Sequence, residues 1–187
     1  MNMQKAFDIF FNKMNESWKR VWNTYPKVSI NEKYDQCGLY ISEESKVGYV
    51  EWQPKLQNKD IDFQIIEKKL GYKIHSDIKN YVSTYWFLPL NSSLETVEQL
   101  QLKEILPNYD IEKLIKDRFR KDIFHYLKDS EYFLIGDFCC IRGDDSYSLQ
   151  VNNNTGEVIA VQPFDKKEIR IATSIEELLM NMKGEWD

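Results

Sequence analysis

Between residues 4 and 23 the apolar side chains Ala6, Phe7, Phe10, Met14, Trp18, Val21 and Trp22 recur mostly at steps of three and four. At 3.6 residues per turn this spacing gathers them on one stripe of a helix. A stripe so rich in rings has to be covered by the rest of the chain, so core packing is the reading it supports best. Pro26 is the expected stop. No internal repeat, low-complexity tract or Pro/Gly-rich linker divides the remainder of the chain. With 187 residues and 26 aromatic rings, the chain is expected to form a single domain over residues 1–187 and to fold alone.

Residues 40–41 and 47–52 read as short extended segments, the second closed by Pro54. Ile61, Phe63, Ile65, Ile66 and Leu70 suggest a second helix ending at Gly71, and Ser76 is placed to cap a third through Ile78, Tyr81 and Val82. Residues 95–102 alternate as a strand. Asp110 then opens a helix with Ile111, Leu114, Ile115, Phe119, Ile123, Phe124 and Leu127 on its buried side. Residues 132–141 form an apolar run, a central strand interrupted near Gly136 and Asp137. Strands over 146–151 and 158–162 flank an Asn-rich turn ending in Gly156 and Glu157, a hairpin signal because Asn and Gly tolerate positive φ. Ser174 and Glu177 have the spacing of a capping box before a final helix. This order predicts an α+β fold, a mixed or antiparallel sheet packed against helices.

The formal net charge of −5 argues against a general attraction to nucleic acid. Acids are unevenly spread: residues 129–165 carry Asp129, Glu131, Asp137, Asp144, Asp145, Glu157 and Asp165 against one base, Arg142. Such a stretch reads either as a solvated surface or as a face for a basic partner. The first ten residues include Lys5 and Asp8, so no signal-peptide core appears, and no apolar run approaches the roughly 20 residues that span a bilayer. A cytoplasmic protein is expected. Three cysteines, Cys37, Cys139 and Cys140, fit a reducing compartment and lack the four-ligand spacing of a zinc site.

Chemistry finds little support. His75 and His125 stand 50 residues apart with no nucleophile or metal-ligand motif around either. Cys139 lies within an apolar run, where a thiol is ordinarily inert packing, so a pair with His125 is not favoured. Glycines never cluster as a phosphate loop requires, and Asp137, Asp144 and Asp145 lack the alternating oxygen donors of a calcium loop. The expectation is therefore no catalytic residue, no metal and no cofactor. A small hydrolase drawing paired carboxylates from distant segments is the outside alternative.

The segment Val50-Glu51-Trp52-Gln53-Pro54, a following helix carrying Glu67, and Ile74-His75-Ser76-Asp77-Ile78 resemble the central pattern of the SecY-interacting Syd family. Phe133-Leu134-Ile135-Gly136, the run Val151-Asn152-Asn153-Asn154-Thr155-Gly156-Glu157-Val158 and the finish through Ala172, Thr173 and Ser174 continue that resemblance over nearly the whole chain. The resemblance implies a SUKH-type, Syd-like fold and a protein that binds other proteins. It implies docking on the cytoplasmic side of the SecY channel, an acidic concave face meeting basic loops, with membrane association only through that partner. Glu131, Asp137, Asp144 and Asp145 would seat the basic loops, and Glu67 joins them as a partner-binding residue. Trp52 would supply contact area, its competing reading being a core ring. The same superfamily contains immunity proteins, so neutralising a cognate toxin, for example a basic nuclease, is the alternative partner role.

Overall fold

The apolar stripe becomes α1 (Met3–Trp22), whose first turn is capped by Asn2, its side chain accepting the Lys5 N–H. The computed structural model describes residues 2–120, 131–141, 147–162 and 167–186, the side chains of Arg120, Asp137 and Phe138 excepted. Helix α1 buries Ala6, Phe7, Phe10, Met14 and Trp18, but Val21 and Trp22 lie past the covered part of the stripe and stay exposed. Its stop comes before Pro26. Asn23 turns into the left-handed region at φ 53° and donates its N–H to the Lys19 carbonyl at 3.0 Å.

Short elements follow: β1 (Lys27–Ser29), α2 (Glu32–Asp35), β2 (Tyr49–Glu51) and β3 (Lys55–Leu56). β1 and β2 pair antiparallel, and a bridge from Tyr40 to Trp52 extends the pairing on the other side of β2. Next come α3 (Phe63–Leu70), α4 (Ser76–Thr84), β4 (Tyr85–Trp86), β5 (Leu90–Ser92), β6 (Gln99–Leu102) and α5 (Ile111–Arg120). The chain continues through β7 (Tyr132–Cys140), β8 (Tyr147–Asn152), β9 (Val158–Val161), β10 (Glu168–Ala172) and α6 (Ile175–Asn181). The main sheet has six strands in the order β10-β9-β8-β7-β6-β5, every neighbouring pair antiparallel. The result is the expected α+β fold, in which sheet neighbours are consecutive strands in the chain and α5 lies in the connection from β6 to β7.

Helices α1, α4 and α6 pack on one another, and α5 packs on β7. Phe7 is the hub between the helices and the strands, with ring centroids 5.8 Å from Tyr81 and 5.5 Å from Phe87. The interruption expected in the central strand is real: the pairing of β7 with β8 shifts register around Gly136. A Cβ there would stand 2.4 Å from the Gln101 carbonyl oxygen of β6, so only glycine lets the two backbones approach.

Cap chemistry settles two boundaries differently from the sequence. Helix α3 starts at Asp62, whose carboxylate accepts the N–H groups of Gln64 and Ile65, and ends at Gly71 with φ 82°. Helix α4 is capped by His75 rather than Ser76: imidazole Nδ1 accepts the Asp77 N–H at 3.2 Å, and Ser76 is already helical. The Ser174 cap forms as expected, its Oγ accepting the Glu177 N–H at 3.1 Å while the Glu177 carboxylate accepts the Thr173 N–H at 2.6 Å.

Candidate docking surface

Two stretches far apart in sequence meet at the start of α4. The His75 N–H donates to Asn153 Oδ1 at 2.8 Å, and the amide of Asn153 donates to the Lys73 carbonyl at 2.8 Å. One side chain thereby satisfies both directions of a turn that would otherwise have lost two backbone bonds. Gly156, at φ 79°, lies directly against the imidazole; a Cβ on it would stand 2.5 Å from His75 Cε1. The Asn-rich hairpin turn between β8 and β9 is thus a socket for the loop before α4. Tyr72, Lys73, Ile74, His75, Asn153 and Asn154 line a recess of about 380 Å³ on this junction.

Glu67 secures the same loop from beneath. Its Oε1 accepts the Ile74 N–H at 2.9 Å and the Lys79 ammonium at 2.6 Å, and Oε2 accepts from Lys73 at 2.8 Å. The Ile74 N–H, followed by the two lysines, holds its carboxyl at about 2, well below the usual carboxylate range. Glu67 is buried, so its charge is spent inside the fold and the surface at this point shows the Lys73 ammonium. Trp52 is also internal, 2% exposed, because its bridge to Tyr40 and the bond from its N–H to the Pro26 carbonyl draw it under the β1–β2 ribbon. The resemblance set both residues against a partner, with a core ring as the competing reading for Trp52; Trp52 takes that core position, and Glu67 is internal as well.

Glu131 is half-buried beside the junction, its carbonyl accepting the Asn153 N–H at 2.8 Å. Among the described residues no ion pair engages its carboxylate. β7 pairs Tyr132 with Asn152 near this end and Cys139 with Tyr147 near the other. Tyr147, paired with Cys139, therefore lies about 25 Å along the strand from Glu131 at a rise of roughly 3.3 Å per residue. Asp144 and Asp145 are outside the described residues, as is the side chain of Asp137. Asp129 and Asp165 fall outside them too, and Glu157 is paired with Arg170 at 3.2 Å. Of Glu131, Asp137, Asp144 and Asp145, Glu131 is the one whose side chain is among the described residues, and it lies beside the junction.

The other sequence candidates are settled by burial. Cys139 is fully buried, and burial pushes its thiol up to about 12, the state of an inert packing group. His125 lies outside the described residues. Among the described residues no group of His, Cys, Asp and Glu side chains could hold a metal ion, and no helix is long and apolar enough to cross a membrane. What sequence reasoning missed is the partnership of His75, Asn153 and Gly156. Its one visible signal was a glycine ending an Asn-rich turn, which fixes a hairpin but does not say what packs on it.

The junction brings together segments that carry the family resemblance from separate parts of the sequence, and comparison with known proteins points the same way. The family model described as Syd protein (SUKH-2) matches residues 4–184. The chain belongs to the Syd family. Among its Syd relatives, a protein named Protein Syd from Aliivibrio fischeri (strain MJ11) is 21% identical over 184 residues, 98% of this chain and 96% of that one. The protein of the same name from Shewanella frigidimarina (strain NCIMB 400) is 25% identical over 187 residues, covering 97% of this chain and 82% of its own length. A third Protein Syd, from Alteromonas mediterranea, is 25% identical over 130 residues, 70% of each chain.

Proposed function

We propose that this protein is a non-catalytic binding partner of the SecY translocation channel, docking from the cytoplasmic side on basic loops of the channel. The observation that carries the reading is the match to the Syd family across residues 4–184. The charge distribution supports it: residues 129–165 are strongly acidic, and cytoplasmic loops of membrane proteins are rich in Lys and Arg. Glu131, Asp137, Asp144 and Asp145 are the carboxylates assigned to steer and seat those loops. The junction of His75, Asn153 and Gly156 supplies a rigid base for Glu131. Association with the membrane is peripheral and runs through the channel.

The test is titration of the purified protein onto SecY in lipid nanodiscs. Affinity is expected to fall about tenfold between low and physiological salt, because screening acts on exposed charge pairs. Glu131→Lys and the pair Asp144→Lys with Asp145→Lys are each expected to weaken binding about tenfold. A complex indifferent to salt and to these reversals removes the acidic face, and an absence of binding to SecY removes the partner.

A further inference from the structure

The β1–β2 ribbon carries apolar side chains that the core does not use. Val50 points inward and is buried, while Tyr49 on the outer face is 45% exposed. Ile41 lies across from Glu51 on that outer face, its N–H bonded to the Glu51 carbonyl, and it too is exposed. At the tip Val47 is 77% exposed, and Ile30 beside it donates its N–H to the Gly48 carbonyl. Tyr49 and Ile41 therefore stand in water on the outer face with Val47 at the tip, while Ile30, two residues on from Val28, falls on the face of Val50. Single exposed apolar residues are ordinary, but several brought together mark a contact surface.

The charges around these residues select the occupant. Glu43 and Glu44 follow Ile41 in the loop whose Ser42 Oγ accepts the Glu51 N–H, and both are exposed. Among the described residues neither of them has an ion pair. The nearby cations are mostly engaged: Lys27 faces Glu51 at 3.9 Å, and Lys33 is held by Glu104 at 2.6 Å. Lys46 is the remaining exposed cation on the ribbon's own loop. An apolar centre with an anionic rim repels anionic lipid and disfavours a second copy of itself, since each copy would bring the same carboxylates. It complements a segment that presents apolar and cationic side chains together.

We propose that the outer face of the β1–β2 ribbon is a docking surface for a cationic amphipathic segment of a protein partner. Apolar side chains of that segment cover Tyr49, Ile41 and Val47, and its Lys or Arg side chains reach Glu43 and Glu44. This surface is separate from the His75–Asn153 junction and does not depend on the partner being SecY.

The probe is a synthetic, fluorescein-labelled peptide with Leu and Lys at amphipathic helical spacing, followed by anisotropy against the full chain. The wild type is expected to bind it, and Val47→Ser with Tyr49→Ser, or Glu43→Lys with Glu44→Lys, to weaken that binding about tenfold or more. Glu131→Lys is expected to leave it unchanged. A photo-crosslinking benzoylphenylalanine at position 47 should capture the peptide, and one at Lys68 on α3 should not. Failure to bind, equal binding by the ribbon variants, or capture from both positions overturns the proposal. So does a finding that the ribbon variants instead abolish binding to anionic vesicles or self-association. Running the same variants on SecY nanodiscs separates the two readings: peptide binding without SecY binding strikes only the channel partner, and SecY binding with no peptide binding strikes only the ribbon.

Discussion

The His75–Asn153 junction and the β1–β2 ribbon use similar residues to opposite ends. At the junction the carboxylate of Glu67 has three partners and almost no contact with water. On the ribbon Glu43 and Glu44 are exposed beside exposed Val47 and Tyr49. A carboxylate surrounded by donors fixes geometry, because removing it leaves those donors without partners; one in solvent leaves the fold nearly indifferent. The difference teaches that acid content alone does not locate a docking face. What matters is whether a negative charge has already been matched from within.

The sharpest way to break this contrast is Gly156→Val. A side chain at φ 79° that also collides with the His75 ring is expected to cost about 3 kcal/mol or more, read as a shift in urea midpoint. Next is Glu67→Gln, expected to destabilise by about 2 kcal/mol at neutral pH, since the amide keeps a backbone acceptor but loses the charge that binds two lysines. The sign with pH follows from a carboxyl held at about 2 in the fold against an ordinary 4.5. Its contribution is complete above pH 4.5 and disappears as pH falls through about 2. The gap between wild type and Glu67→Gln should therefore close across that interval, and a gap that persists at low pH would show the carboxylate charge to be irrelevant.

Asn153→Ala removes the bonds to His75 and Lys73 and is expected to cost about 1.5 kcal/mol in the same assay. Smallest of all, Val47→Ser with Tyr49→Ser should change stability by no more than about 0.5 kcal/mol while altering binding. A large loss of stability there would make the ribbon a part of the core after all.

Sequence periodicity was a good guide wherever one stripe or one alternating run met the core. α1, α3, β7, the β8–β9 hairpin and α6 all occupy the positions that their apolar spacing and cap residues indicate. It failed for β1, β3, β4, β5 and β10, which are two to five residues long and too short to show a period. The cap of α4 went to His75 because an imidazole nitrogen can accept an N–H as a hydroxyl can, a role its residue type does not advertise. Half of the junction was written in the chain as Asn153 and Gly156, but the loop they hold lies about 80 positions earlier. No local pattern links two such points. Likewise the burial of Trp52 and Glu67 depends on Tyr40, Pro26, Lys73 and Lys79, none of which the motif around each residue names.

Helix α1 rests on α6, and Lys13 donates to the Met180 and Met182 carbonyls while Trp18 donates to Glu185 at 2.9 Å. During synthesis the first helix thus emerges long before the surface meant to cover it has been translated. Until then its rings lack that cover, and the segment from α6 to Glu185 acts as a latch that closes over them late.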